Sequence, residues 1–279
     1  DGQLLLAKMA TPIKLAWSWP DIDPASINPT TITVSREPDG RWYVSVAVDV
    51  ADPEPLSPTN TAVGIDLGIA NFATMSDGEI VANPRHLERK ARNLARYQRR
   101  MARCQKGSNN RAKAKLKVAR ANSKVRNARK DFLHKTSTRI VRHNDVIAVE
   151  DLAVKNMVKN RRLSKAISDT GWGEFRRQLA YKAEQAGRQL VVIDRWYPSS
   201  KTCSQCGHLL AALSLGTRTW QCPSCGTRHD RDINAAKSIL AAGLAVSACG
   251  GDVRHRGSPL VLSPVKQEPQ PVKVGIPRL

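Results

Sequence analysis

Two cysteine pairs, each spaced Cys-x-x-Cys, constrain the fold of this 279-residue chain more than any other feature of its sequence. The pairs are Cys203 with Cys206 and Cys222 with Cys225, and fifteen residues separate them. Four thiolates at this spacing complete the tetrahedral shell of a structural Zn²⁺ and leave no open position on the metal. The pattern therefore predicts a zinc-folded segment, with the neighbouring His229 as a bystander. Disulfides are the alternative, although nothing in the sequence suggests the export that they require.

Basic residues are concentrated in one part of the chain. The net charge is +21, and residues 85–142 hold 21 Lys or Arg and two acids. Apolar residues recur there at helical spacing on both sides of a break at 107–110, which predicts a long basic helical hairpin over 85–143 with a narrow apolar seam. Such a block points to nucleic acid or to an anionic membrane surface. Because the seam contains alanine rather than bulky residues, we favour nucleic acid.

The candidate contacts to phosphate groups are basic residues on these two helices: Arg96, Arg100, Arg103, Lys113, Lys117 and Arg120.

The rest of the chain alternates between strand-like and helix-like patterns, which predicts a mixed α/β fold. Two alternating segments, 31–34 and 43–48, flank the turn sequence EPDG and predict a β-hairpin. Further strands are predicted at short apolar runs, namely 62–67, 72–75, 79–82, 145–150 and 190–193. No apolar run reaches the roughly 18 residues that a membrane span needs. We therefore expect no membrane-spanning segment.

Three acids stand where apolar strands end or a helix begins: Asp66, Glu150 and Asp232. An acid among apolar residues costs free energy unless it is paired or binds a metal. Each has an ordinary alternative, since Asp66 could pair with a lysine, Glu150 could face solvent and Asp232 could cap its helix. Together they favour a Mg²⁺ site, because three carboxylates can hold two ions for an in-line phosphodiester displacement.

Four motifs follow one another in a distinctive order: GIDLG at 64–68, AVEDL at 148–152, the two cysteine pairs, and HDRDINAA at 229–236. This order resembles the TnpB family of transposon-encoded RNA-guided DNA endonucleases, which is related to the type V CRISPR effectors. The resemblance implies a nuclease core of the RNase H-like (RuvC) fold. By position its catalytic triad is Asp66, Glu150 and Asp232, with Asp230 as the rival for the third place. It also implies that the zinc ribbon binds target nucleic acid.

The resemblance further implies a division of the chain into five parts. They are a β remnant of a wedge domain (1–58), the nuclease core with the basic hairpin (59–202), an inserted zinc ribbon (203–228), the last core helix (229–250) and a disordered tail (251–279). Family members have a longer N-terminal part, so this chain is expected to be shortened there.

The function implied is RNA-guided DNA cleavage with Zn²⁺ and Mg²⁺ as cofactors and guide RNA and target DNA as partners. The expected location is the cytoplasm of a prokaryotic cell, at the nucleoid. The alternative is a non-cleaving, truncated RNA- or DNA-binding regulator of the same family. A junction resolvase on this fold is a third possibility, against which the zinc ribbon and the basic hairpin argue.

Overall fold

The computed structural model describes residues 2–5, 8–51, 53–214 and 216–249, together with the backbone of 253–254 and 261–262. The chain divides into two compact units, Asp1–Asp52 with Tyr97–Arg120, and Pro53–Arg96 with Ala121–Leu279. The predicted disordered tail lies outside the described residues, except for two short strands, Val253–Arg254 and Val261–Leu262, which pair antiparallel. The five-part division expected from the sequence stays a prediction.

The first unit contains two antiparallel strand pairs. Its β elements are β1 (Gly2–Leu4), β2 (Ile13–Leu15), β3 (Pro29–Arg36) and β4 (Trp42–Val48), with a 3₁₀ turn at Pro24–Ser26. β1 pairs with β2 and β3 with β4. Between β3 and β4, Gly40 takes a φ of 86°, which glycine adopts without steric cost. The predicted hairpin is therefore confirmed.

The basic segment forms two helices, α1 (His86–Arg103) and α2 (Asn109–His143). Along α1 and up to the break at 107–110, half-buried residues recur every three or four positions. They are Leu87, Ala91, Leu94, Tyr97, Met101 and Cys104. None of the residues of α1 is fully buried. Half-buried residues thus form a stripe along α1, and the apolar seam between the two helices stays a prediction. The antiparallel pairing of the whole hairpin stays a prediction.

The second unit is built on a five-stranded mixed sheet. Its strands are β5 (Ala62–Leu67), β6 (Asn71–Met75), β7 (Ile80–Ala82), β8 (Val146–Glu150) and β9 (Gln189–Ile193). The order across the sheet is β7-β6-β5-β8-β9; β5, β8 and β9 are parallel, and β6 is antiparallel to both of its neighbours. All five strands coincide with predicted apolar runs, so the α/β class is confirmed.

Helices connect and cover this sheet. The elements that follow β8 are α3 (Val154–Met157), α4 (Ser164–Thr170) and α5 (Trp172–Gln185) before β9, then β10 (Thr219–Gln221), β11 (Arg228–Asp230) and α6 (Arg231–Cys249). Within the described part of the chain, none of the helices combines the length and the apolar composition that crossing a membrane requires.

The two faces of the sheet pack against different helices. On β5, Val63 and Ile65 belong to the core that includes Leu133 of α2 and Phe175 of α5. Because successive residues of a strand face opposite sides of the sheet, Gly64 and the residues two positions from it on β5 face the side away from that core. That side is covered by α6. The acid two residues after Gly64 therefore lies on the face that α6 covers.

Close contact between α6 and β5 depends on the missing side chain of Gly64. A Cβ atom on Gly64 would lie 2.1 Å from the carbonyl oxygen of Ala236 and 2.6 Å from the amide nitrogen of Leu240, both backbone atoms. We expect Gly64→Ala to lower the free energy of unfolding by about 3 kcal/mol, because the helix must move away from the sheet. Urea denaturation measures this loss.

The matched control for that substitution is Gly173→Ala. Gly173 lies in α5, and a Cβ atom there would meet no atom within 4 Å. Since alanine favours helix more than glycine does, the control should be neutral or stabilising. Equal stabilities of the two variants would contradict the close packing of α6 on β5.

Candidate functional site

Asp66 and Glu150 lie side by side at the carboxyl edge of the parallel strands. In the register of β5 and β8, Ile65 pairs with Val149, so the next residues on the two strands are these acids. Residues at the same register of parallel neighbours point to the same face, here the face under α6. Adjacent strands are about 4.8 Å apart. The two carboxyl groups are therefore close enough to interact electrostatically.

α6 runs in the direction that brings its first turn, and with it Asp232, to the carboxyl edge of the parallel strands. Near the end of α6, the hydroxyl of Ser247 donates to the side-chain oxygen of Gln189 at the start of β9, 2.7 Å away. Ala236 lies against Gly64 one turn after Asp232. The helix thus runs antiparallel to the parallel strands, and its first turn lies toward their carboxyl ends. Asp232 therefore lies at the edge that holds Asp66 and Glu150, although it is far from both in the sequence, because α6 packs antiparallel to the strands.

Burial and neighbouring charges raise the pKa of Asp66 to about 7. Burial is the largest cause, followed by the negative charges of Glu150 and Asp232, while Arg231 opposes the rise. Burial also raises the pKa of Glu150, and the hydroxyl of Ser199, which donates a hydrogen bond to this carboxyl group, opposes that rise. Negative charges that raise the pKa of a buried acid, as those of Glu150 and Asp232 do for Asp66, form an environment that a bound cation stabilises.

The acids form an open edge rather than a closed shell of ligands. Among the residues that the structure describes, only the four cysteines form a group of three or more candidate ligands whose atoms lie within 4.8 Å of one another. The carboxylate of Asp232 also lies 3.8 Å from the guanidinium of Arg218. Coordination of Mg²⁺ by the three acids is therefore a proposal.

Asp230 has a structural role at the start of α6. Its Oδ1 accepts hydrogen bonds from the backbone amides of Asp232 and Ile233, each 3.0 Å long. This geometry is that of a helix N-cap. The sequence left open whether Asp232 caps α6, and in the structure the capping residue is Asp230. The arrangement favours Asp232 over Asp230 as the third acid of the site.

The raised pKa of Asp66 makes the free energy of unfolding depend on pH. The folded protein keeps the proton of Asp66 up to about pH 7, whereas the unfolded chain releases it near the ordinary aspartate pKa of 3.8. The folded state therefore loses stability as the pH rises between these values. In buffer without added divalent ions, we expect Asp66→Asn to raise the free energy of unfolding by about 4 kcal/mol at pH 8 and to change it little near pH 4.

Urea denaturation of the zinc-loaded protein at the two pH values measures this effect. A stabilisation of equal size at both pH values would show that the effect of Asp66→Asn does not come from burial of its charge.

The four cysteines converge as the sequence predicts. The Sγ atoms of Cys203 and Cys225 are 3.7 Å apart, and those of Cys206 and Cys222 are 3.6 Å apart. Tetrahedral Zn²⁺ with bonds of about 2.3 Å places its sulfur ligands about 3.8 Å apart. The quartet therefore fits a zinc ion, and these separations are too long for disulfide bonds.

Two matching turns hold the cysteines in place. Gly207 and Gly226 follow the pairs with φ angles of 75° and 74°. Each glycine amide donates to the carbonyl of the first cysteine of its pair, Cys203 at 2.8 Å and Cys222 at 2.9 Å. Positive φ explains why glycine stands at both positions. We call residues 203–228, which contain these turns, the cysteine module.

His229 contacts the cysteine module although it is not one of the four converging residues. Its Nε2 lies 3.1 Å from the Sγ of Cys203, and its ring packs on Trp220 at a centroid distance of 4.7 Å. The sequence showed only that His229 is near the second pair. Ser199 and Asn234 were also missed. Asn234 lies in the motif HDRDINAA, and Ser199 lies just before the first cysteine pair. Their closeness to the motifs that carry the family resemblance is the signal that could have identified them.

The six basic residues predicted to contact phosphate groups are all exposed: Arg96, Arg100, Arg103, Lys113, Lys117 and Arg120. Exposure is what contacts to a nucleic-acid backbone require. Within the first unit, Nε of Arg120 also donates to the carbonyl oxygen of Asp39, 3.3 Å away. Part of this guanidinium is therefore engaged inside the protein.

Two protein-family profiles match the chain. Residues 45–161 match OrfB_IS605, described as "Probable transposase". Residues 172–239 match the family described as "Cas12f1-like, TNB domain". The first match contains Asp66 and Glu150, and the second contains the cysteine module and Asp232.

Curated relatives match most of the chain. A "Putative RNA-guided DNA endonuclease" of Streptomyces pristinaespiralis is 51% identical over 282 residues, which cover 100% of this chain and 69% of the relative. "Putative RNA-guided DNA endonuclease InsQ" of Escherichia coli K12 is 38% identical over 253 residues, which cover 85% of this chain and 61% of the relative.

Among solved structures, a CRISPR-Cas12f ternary complex matches 77% of this chain and 46% of its own chain, with a TM-score of 0.48 and 20% identity. This likeness is too low to carry an argument. The 51% identity to the Streptomyces relative, of which this chain covers 69%, shows that the chain belongs to the TnpB family.

Proposed function

We propose that this protein acts as an RNA-guided DNA endonuclease that cleaves target DNA by two-metal phosphodiester hydrolysis. The observation that carries the proposal is the meeting of Asp66, Glu150 and Asp232 at one edge of the mixed sheet, where burial and mutual repulsion raise the pKa of Asp66. The names of the two relatives, which both include "Putative RNA-guided DNA endonuclease", support the guide RNA and the DNA target. The sheet with helices on both faces supports a core of the RNase H-like (RuvC) type.

The three acids would divide the work of holding Mg²⁺. Asp66 interacts electrostatically with both other acids, so it would be the ligand shared by two ions. Glu150 and Asp232 would each complete the shell of one ion. When bound, Mg²⁺ supplies activation of a water molecule and stabilisation of the attacking and leaving oxygens. The protein contributes the fixed positions of its carboxylates, which come from β5, β8 and α6.

The other two sequence features would bind nucleic acid and support the fold. The basic helices α1 and α2 would contact the phosphates of a guide–target duplex, which is recognised by shape rather than by base sequence. The cysteine module would be a zinc ribbon that binds the target strand. With a nucleic-acid partner of this kind, the protein would act in the prokaryotic cytoplasm, at the nucleoid.

A reconstituted cleavage assay tests this function. The purified chain is mixed with a guide RNA and labelled DNA, with the whole Streptomyces relative as the positive control. We expect cleavage only with a matching guide and with Mg²⁺. Cleavage that ignores the guide, or that continues without divalent ions, would contradict the proposal.

The second candidate is a non-cleaving RNA- or DNA-binding regulator. The observation that favours it is the set of exposed basic residues on α1 and α2, which can bind a nucleic-acid backbone without the three acids. The chain spans 69% and 61% of the two relatives. Guide-dependent DNA binding without cleavage, in an assay where the Streptomyces relative cleaves, would support this candidate.

A further inference from the structure

A buried amide on α6 is hydrogen-bonded to the start of the cysteine module. Asn234 is 1% exposed and lies two residues after Asp232. Its Oδ1 accepts a hydrogen bond from the backbone amide of Ser204, 2.9 Å away, inside the first cysteine pair. Its Nδ2 donates to the carbonyl oxygens of Thr202 at 2.8 Å and Ser199 at 3.4 Å. Three of the four hydrogen-bonding positions of the side chain are thus used.

Residues 199–204, which Asn234 contacts, also reach Glu150 on β8. Ser199 is 5% exposed, and its hydroxyl donates to the carboxyl group of Glu150. One turn after Asn234 on α6, the hydroxyl of Ser238 donates to the carbonyl of Thr202 at 3.0 Å. Residues 199–204 therefore contact Glu150 on one side and α6 on the other.

The far end of the cysteine module is attached to α6 as well. His229 lies 3.1 Å from the Sγ of Cys203, and the next residue, Asp230, caps α6. The first turn of α6, which carries Asp232, is thus bonded to both ends of the module. If zinc folds the module, the metal also orders this turn.

We propose that Asn234 and Ser199 are positioning residues that couple the cysteine module to the carboxylate site. Asn234 fixes the first turn of α6, and through it Asp232, to the module. Ser199 fixes the carboxyl group of Glu150. The coupling is a property of the fold, and its effect on metal binding rests on the proposed nuclease function.

Hydrogen exchange of the full zinc-loaded chain tests the coupling without any assay of activity. In Asn234→Ala, we expect at least a tenfold loss of protection at the amides of Ser204 and residues 233–236, with one zinc still bound. Removing zinc from the unmodified chain should lower protection at the same α6 amides. Ser247→Ala, near the other end of α6, is the control and should leave them unchanged.

If Asn234→Ala does not fold, Asn234→Asp serves instead, because it keeps the Oδ1 acceptor for Ser204 and loses the Nδ2 donor. Unchanged protection at residues 233–236, both in the folded variant and after zinc removal, would overturn the coupling.

The Mg²⁺ requirement for cleavage tests the role of Ser199 in the same chain. We expect Ser199→Ala to raise the half-saturating Mg²⁺ concentration at least tenfold and Ser199→Thr, which keeps the hydroxyl, to restore it. An unchanged requirement in Ser199→Ala would overturn that role. If the unmodified chain does not cleave, the proposed function fails for this chain, whereas hydrogen exchange still decides the coupling.

Discussion

Asp66→Asn is expected to abolish Mg²⁺-dependent cleavage, with a rate loss on the order of 10³-fold or more, because the variant lacks the carboxylate charge that the two proposed Mg²⁺ ions would share. Asparagine has nearly the same size as aspartate, so the packing under α6 should survive. Nucleic-acid binding should remain, since the basic helices lie elsewhere in the sequence. Guided cleavage of labelled DNA and a filter-binding measurement on the same preparation check both parts.

Two acids separated by one residue provide the internal control. Asp232→Asn should lose cleavage as Asp66→Asn does. Asp230→Asn should keep it, because asparagine caps a helix as well as aspartate. If Asp230→Asn is inactive and Asp232→Asn is active, the third ligand is misplaced by two residues.

Cys203→Ser is expected to unfold the cysteine module. Cys203 is 1% exposed and is one of the four converging thiols. Zinc binding to such a site contributes about 10 kcal/mol or more to folding, so loss of one thiolate removes most of the force that holds the module. Elemental analysis should show about one zinc in the unmodified chain and little in the variant. Limited proteolysis should cut the variant within residues 203–228.

The matched control for Cys203→Ser is Cys104→Ser, which changes a half-buried cysteine outside the quartet. It should keep its zinc and its resistance to protease. A Cys203→Ser protein that also keeps both would show that the four cysteines do not form a zinc site.

The parts of the fold that depend on local pattern could be predicted from the sequence. The cysteine pairs converge because each pair and its glycine form one tight turn, and the spacing alone contains that information. The five strands of the sheet were predictable because they are short apolar runs. The proximity of Asp66 and Glu150 was also predictable, since both acids lie at the carboxyl ends of parallel strands.

The parts that depend on long-range packing could not be predicted in this way. Gly64 is required by its contact with Ala236, which lies 172 residues later in the chain. The capping role of Asp230 and the three hydrogen-bond partners of Asn234 depend on where α6 begins in space, which no periodicity encodes. Hydrogen bonds of this kind are visible only once the helix is placed on the sheet.

Binding of Mn²⁺, followed by electron paramagnetic resonance and by competition with Mg²⁺, tests most directly whether the three acids form a metal site. The proposed site predicts that the zinc-loaded chain binds Mn²⁺, that Mg²⁺ displaces it, and that Asp66→Asn and Asp232→Asn each weaken binding at least about tenfold. Asp230→Asn should bind as the unmodified chain does. Mn²⁺ binding by Asp66→Asn with unchanged affinity would contradict the site.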